Sequence, residues 1–236
     1  MKQLSILFSI VLFSTISVFA QLDQICRELY IDKKSVDLDL LTSKRIRSSI
    51  KIYAIPVIVE KDEESWIGDL FLVKFDTITK KILIKTRFKH LLESNAIEIH
   101  NMWIDTAPYI LQSGKRSFGI RISSSNNSRA TSAEFETIFL FEEQQNDFSN
   151  ILDLITKRSV YSGGGDCENT EADVYNSYLI VDKSNINSQH YNLIEKLKKE
   201  SFNLTKDCED GKKLIKNYTN IFVYENGKYK CKDRKD

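Results

Sequence analysis

The sequence predicts an α+β protein built mainly from antiparallel β-sheet, in sandwich or half-barrel form, with packed helices and a small C-terminal β-α-β unit. Three observations support this prediction. Apolar and polar residues alternate over much of the region from residue 50 to residue 141, which is typical of strands. Apolar residues recur at helical spacing in shorter segments before and after that region. A run of glycines after residue 162 separates the last part of the chain from the rest.

The first twenty residues have the pattern of a cleavable export signal. Lys2 is their single charged residue, an apolar and hydroxyl-bearing run follows, and Val18 and Ala20 stand at the −3 and −1 positions. We therefore expect a mature chain that begins at Gln21 in a secreted or periplasmic protein. No later apolar stretch approaches the roughly 18 residues of a membrane-spanning helix, so no membrane span is expected.

The charges of the mature chain balance. Without Lys2, 33 Lys and Arg residues stand against 33 Asp and Glu residues. Nucleic-acid-binding domains usually carry a basic excess on one face, so nucleic acid is not an expected partner. The chain also lacks the glycine fingerprints of nucleotide sites, the zinc-protease helix motif and the calcium-loop motif, so no cofactor is expected.

The elements begin with a short amphipathic helix and continue as strands. Leu22, Ile25 and Cys26 share one helical face with the residues a turn later, so Cys26 is expected to face inward. Alternation then predicts a hairpin of Ile50–Val59 and Trp66–Phe75. A third strand at 82–88 continues the meander. A turn of helix at 89–94 and further strands follow at 96–103, 109–112, 118–123 and 135–141.

The second half of the chain is predicted to be mixed. Phe148, Ile151, Leu152 and Ile155 form a helical stripe that would close over the sheet. The three glycines in 162–166 cost too much backbone entropy for a regular element, and they predict a domain boundary. The expected organisation is therefore a signal (1–20), a β-rich domain with an N-terminal helix (21–162) and a small α+β unit stapled by disulfides (163–236).

Within that last unit, residues 174–181 are predicted to form a strand and residues 189–202 a helix. His190 would then be a surface or boundary residue near the start of the helix. Asn226 and Gly227 form a dipeptide that tolerates positive φ, and they predict a hairpin between strands 220–224 and 228–231. The order strand, helix, strand gives the small β-α-β unit.

Four cysteines lie in the exported part: Cys26, Cys167, Cys208 and Cys231. An even number in an oxidising compartment predicts two disulfides. Sequence alone leaves three pairings open. Proximity favours Cys208 with Cys231, which leaves Cys26 with Cys167.

Two sets of side chains are candidates for a site. Glu98 and His100 alternate on one strand and Asp105 follows, so these carboxylates and this imidazole could hold a metal ion. Trp103 and Tyr109, with Trp66, could present a flat aromatic surface to a ligand, although core packing or strand pairing is the more common role of aromatic residues in strands.

No nucleophile motif or phosphate loop matches the residues around the triglycine. The leading interpretation is an exported, non-enzymatic binding protein, whose partner is a protein or small ligand at the cell envelope or outside the cell. One alternative is a secreted metal-assisted hydrolase that uses Glu98, His100 and Asp105. A second alternative is a β-barrel carrier of a small apolar ligand, which requires a closed sheet.

Overall fold

The computed structural model describes residues 21–112, 115–126, 128, 130–163, 167–187 and 189–232, without the side chain of Pro108. Of these residues, 71% are in strands and 6% in helices. One α-helix, α1, covers residues 21–29, and a 3-10 turn covers Lys33–Ser35. The strands of the described chain are β1 (Thr42–Arg45), β2 (Ile50–Lys61), β3 (Trp66–Asp76), β4 (Lys81–Ser94), β5 (Glu98–Gln112), β6 (Lys115–Ser125), β7 (Thr131–Glu143), β8 (Phe148–Ser162), β9 (Glu171–Asn187), β10 (His190–Asn203), β11 (Leu214–Glu225) and β12 (Lys228–Cys231).

The strands form two sheets in which neighbouring strands pair antiparallel. The first sheet has the order β1-β2-β3-β4. The second has the order β12-β11-β10-β5-β6-β7-β8-β9, and β9 also pairs with β10, so that β5 to β10 close into a six-stranded barrel. At one seam of the barrel, residues 157–162 of β8 pair with residues 171–176 of β9. At the other, β10 meets β5 through the single pair His190 and Gln112.

Three apolar clusters show how the elements are layered. In the first, Leu22 and Ile25 of α1 pack against one face of the four-stranded sheet, where Tyr53 is fully buried. In the second, the other face of that sheet packs on β5 to β8. In the third, the opposite face of β5 to β8 packs against residues of β10 to β12, among them Leu193 and Phe222. The four-stranded sheet is therefore covered on both faces, which explains the unbroken buried run from residue 52 to residue 57.

The α+β prediction is wrong. The segments predicted as helices at 89–94 and 148–155 lie in β4 and β8, and the segment predicted at 189–202 lies in β10 apart from its first residue. The predicted C-terminal β-α-β unit is instead an antiparallel arrangement of β9 to β12. The N-terminal helix, the hairpin of β2 and β3, and the turn at Asn226 and Gly227 are found as expected, and Asn226 has a φ of 52° and Gly227 of 83°.

Two of the sequence predictions fall on residues outside the described ranges. The predicted export signal occupies 1–20, and Gly164, Gly165 and Asp166 form most of the predicted boundary. On either side of that segment, β8 and β9 pair with each other, so the strands after the triglycine complete the barrel that β5 to β8 begin. Gly163 itself donates its backbone N–H to Ala130.

Candidate functional site

An open cleft of about 470 Å³ lies across β5 to β9. Most of the side chains that line it are polar: His100, Ser123, Ser124, Ser125, Glu134, Glu136, Lys157, Ser159 and Asn176. Phe135 and Val174 complete the lining. Because the polar groups come from five neighbouring strands, the sheet itself fixes their spacing.

Strand register arranges these side chains in two rows. Ser125 stands opposite Glu134, which stands opposite Ser159 on the next strand. The second row runs from Ser123 through Glu136 to Lys157 and then Asn176. Alternation places both rows on the face of β6 and β7 that is opposite to Ile120 and Ile122, which pack against the four-stranded sheet.

The Arg121 guanidinium joins the cleft to the barrel interior. Its Nη1 donates to Glu136 Oε1 at 2.6 Å and to Thr156 Oγ1 at 3.0 Å. Its Nε donates to Asp105 Oδ2 at 2.8 Å. Tyr109 Oη also donates to Asp105 Oδ2, at 3.0 Å. These contacts cross four strands, so they hold Glu136 in a fixed position at the wall of the cleft.

The network changes the ionisation of its members. Burial acts to raise the pKa of Asp105, but hydrogen bonds from the Ala107 N–H, Arg121 and Tyr109, together with the charge of Arg121, outweigh it and hold that pKa below the ordinary value. Burial, and secondarily the Asp105 carboxylate, raises the pKa of Tyr109 to about 12. Asp105 therefore stays ionised and Tyr109 stays a hydrogen-bond donor over the neutral pH range.

The three residues of the predicted metal site have separate surroundings. His100 is exposed and its Nε2 lies 2.7 Å from Ser125 Oγ. Asp105 is engaged by Arg121, and Glu98 is an exposed residue at the start of β5. In the described part of the chain, no group of three or more His, Cys, Asp or Glu side chains is arranged to hold a metal ion. Of the three, only His100 lines the cleft.

The aromatic residues proposed as a ligand surface are also separated. Tyr109 is buried in the cluster between β5 to β8 and β10 to β12. Trp66 packs against the cluster on the other side of β5 to β8. Trp103 is partly buried and stands opposite Arg121 in the register of β5 and β6. The lining of the cleft includes none of these three side chains.

Cys167 and Cys208 form a disulfide, with their Cα atoms 5.0 Å apart. The predicted pairs Cys26 with Cys167 and Cys208 with Cys231 are therefore wrong. The cause is the β9–β10 hairpin, which pairs Glu171 with Asn203 at its open end and so brings together the two cysteines just beyond it. Because the sequence predicts a helix at β10, it does not predict this hairpin. Without the hairpin, nothing in the sequence indicates that Cys167 and Cys208 are close together.

The sequence does not predict a buried polar cluster that surrounds His190. His190 is 5% exposed and its Nε2 lies 3.0 Å from Oε1 of Glu142, which is 2% exposed. The His190 ring stacks on Tyr224 with a centroid separation of 3.6 Å. Tyr229 contacts both rings edge-on and donates its hydroxyl to the Tyr191 carbonyl. The contact between His190 and Glu142 spans 48 positions, and no local sequence pattern indicates it.

Comparison with known proteins gives no match: no family model, no curated protein and no solved structure matches this chain. Within the described ranges, no helix is long and apolar enough to cross a membrane.

Proposed function

We propose that the protein is an exported, non-catalytic binding protein that holds a small, neutral, hydroxyl-rich ligand in the cleft across β5 to β9. The observation that carries this proposal is the pair of polar rows on the strands. Ser123, Ser125 and Ser159 supply hydroxyl groups, and Asn176 supplies an amide. Each hydroxyl can both donate and accept a hydrogen bond, and this matches the hydroxyl groups of a sugar or polyol.

The charges in the cleft favour a neutral ligand. Glu136 forms an ion pair with Arg121, so neither group is offered to the ligand as an isolated charge. Glu134 and Lys157 add one charge of each sign on neighbouring strands. A strongly anionic or cationic ligand would therefore meet a like charge as well as an opposite one.

The two alternative functions have less support. A metal-assisted hydrolase would need Glu98, His100 and Asp105 to converge, and Asp105 is instead held by Arg121 and Tyr109. A carrier of an apolar ligand needs a closed sheet, which is present. However, most of the side chains that line the cleft are polar, and Ile138, Leu140 and Leu193 pack together on the barrel side of β7.

Export is supported by the disulfide. Structural disulfides persist in oxidising compartments and are rare in the cytosol. The bridge between Cys167 and Cys208 is consistent with the signal pattern of residues 1–20 and with action outside the cytoplasm.

The test is a ligand screen on the mature protein. We would titrate ¹⁵N-labelled protein with neutral mono- and disaccharides, a phosphorylated sugar and a fatty acid, and map the perturbed amides. The expected result is saturable binding of a neutral saccharide with perturbations confined to residue 100 and to residues 123–125, 134–136, 157–159 and 174–176. The variant Ser125→Leu fills the cleft and removes a hydroxyl, so affinity should fall about tenfold or more.

Ser48→Leu is the matched control, because Ser48 is exposed in the turn between β1 and β2. That variant should bind as the wild type does. Binding of the fatty acid in preference to the saccharides would contradict the proposal in favour of the apolar carrier. Zinc-dependent hydrolysis of an ester or peptide probe that is lost in His100→Ala would contradict it in favour of the hydrolase.

A further inference from the structure

The outer edge of β9 is open along an uncharged, apolar stretch. β9 pairs with β8 only as far as Asn176, whereas it pairs with β10 from Glu171 to Asp182 and again at Ile186 and Asn187. From Ser177 onward, its other edge has no partner strand in the described part of the chain. Ser177 to Val181 contains no charged residue and no proline, and the register shift against β10 comes only after Asp182. An edge of this kind is a template for another strand.

The terminal strands β1, β4 and β12 carry the usual protection of sheet edges. β1 is four residues long and includes Lys44 and Arg45. β12 is also four residues long and includes Lys228 and Lys230. β4 is long, but basic residues recur along it at positions 81, 85, 87 and 89. Short strands and basic residues discourage pairing between molecules. The stretch from Ser177 to Val181 differs from these three edges because it belongs to a long strand and contains no basic residue.

We propose that β9 pairs antiparallel with β9 of a second copy of this chain, about a two-fold axis at Ile180. In this register Leu179 of one copy stands opposite Val181 of the other, and Ile180 stands opposite itself. Tyr178 stands opposite Asp182, and Ser177 stands opposite Lys183. No like charges face each other, whereas an axis at Asp182 would place two carboxylates together.

The exposed face beside this edge supports the same partner. Ile180, Ile194 and Ile221 stand in one row across β9, β10 and β11. Ile180 and Ile221 are about 40% exposed, and Tyr178 next to them is 61% exposed. Pairing of β9 with its copy would continue this row into the second molecule, so that apolar side chains from both copies lie side by side. An isologous two-fold contact of this kind closes on itself and gives a dimer.

The experiment measures the mass of the mature protein by sedimentation equilibrium over a range of concentrations. The expected result is a monomer–dimer equilibrium. Ile180→Lys places two like charges on the axis and should shift the protein to monomer without loss of its thermal transition. Ile78→Lys is the matched control, because Ile78 is 77% exposed in the turn after β3 and lies away from β9; that variant should dimerise normally.

Cysteine cross-linking tests the register without weakening the edge. Residues opposite each other in an antiparallel pair have Cα separations of about 4.5–5.5 Å, within the range of a disulfide. Ile180→Cys should therefore form covalent dimers above the wild-type background under mild oxidation. Tyr178→Cys should not, because its two copies would be about 13 Å apart along the strands. A wild type that is monomeric throughout, a dimer that survives Ile180→Lys, or cross-linking at 178 but not at 180 would each overturn the proposal.

Discussion

Nε2 of His190 lies 3.0 Å from Oε1 of Glu142, and both side chains are almost completely buried. His190 is also the residue of β10 that pairs with Gln112 and closes the barrel against β5. Tyr224 of β11 stacks on its ring, and Asn187 donates its side-chain amide to the Tyr224 carbonyl. The pair therefore joins β7, β10 and β11 at the narrow seam of the barrel.

Replacing His190 with Ala should lower the free energy of unfolding by about 3–5 kcal/mol, because it leaves the Glu142 carboxylate buried without the imidazole. Urea unfolding followed by circular dichroism measures this loss. His100→Ala is the matched control, since His100 is exposed and its replacement should change stability by only about 0.5 kcal/mol or less.

A second variant separates the charge effect from packing. His190→Phe with Glu142→Leu removes both polar groups and keeps the volume, so the double variant should be more stable than His190→Ala. If His190→Ala and His100→Ala unfold at the same urea concentration, the buried pair contributes nothing to the seam.

The sequence predicts β2, β3 and the first part of β4, because strand-forming residues are bounded there by turn residues. It predicts no strand at β1, and it predicts a turn of helix at 89–94, which lies in β4. The prediction fails at β8 because its pairing with β7 contains two register shifts, which interrupt the alternation. On β7 these shifts lie between Glu136 and Thr137 and between Leu140 and Phe141. As a result Ile151 and Leu152 are both buried although they are consecutive, which imitates helical spacing. A β-bulge cannot be distinguished from a helix turn when only the apolar spacing is known.

The prediction of a helix at β10 fails for a different reason. Its buried residues alternate as Leu193, Glu195 and Leu197, but the central one is acidic. Asn220 of β11 donates to Glu195 Oε2 at 2.9 Å and makes this burial tolerable. That partner is 25 positions away, so the sequence pattern alone shows a charged residue where a strand would need an apolar one. The cleft was missed for the same reason, because its rows exist only once the strands are in register.

Protonation of the Asp105 carboxylate should make the protein less stable in acid. Its pKa is lower in the folded state, so its contribution is complete above the unfolded value of about 3.9 and is lost as the pH falls through the folded value. Asp105→Asn should reduce stability at neutral pH and should flatten the loss below about pH 4. Thermal unfolding across that range measures both effects.

Asp39→Asn is the control for this pH dependence, because Asp39 is an exposed aspartate. Its acid profile should follow the wild type. An Asp105→Asn profile that runs parallel to the wild type down to the lowest pH would show that the Arg121 network does not depend on the ionised carboxylate.

The disulfide between Cys167 and Cys208 closes a loop with a sequence separation of 41 residues. In the chain-entropy model a loop of this length stabilises the folded state by about 4 kcal/mol. The double variant Cys167→Ala with Cys208→Ala should lose much of that amount, and peptide mapping of the wild type should recover the two cysteines in one linked fragment. Reductant should destabilise the wild type but not the double variant. An equal effect of reductant on both proteins would assign the stabilisation to another source.

Cys26 should be an unreactive thiol as long as α1 is docked. It is 3% exposed, and burial, followed by the Asp23 carboxylate, raises its pKa against the opposing effect of Lys33. Iodoacetamide at neutral pH should therefore label Cys26 slowly in the native protein and rapidly in denaturant, and peptide mapping locates the labelled cysteine.

Leu22→Ala weakens the contact of α1 with the sheet by about 2 kcal/mol or more, so labelling should accelerate about 30-fold. Glu28→Ala, on the exposed side of α1, should leave the rate unchanged. Rapid labelling of the native wild type would show that α1 opens far more often than its packing implies.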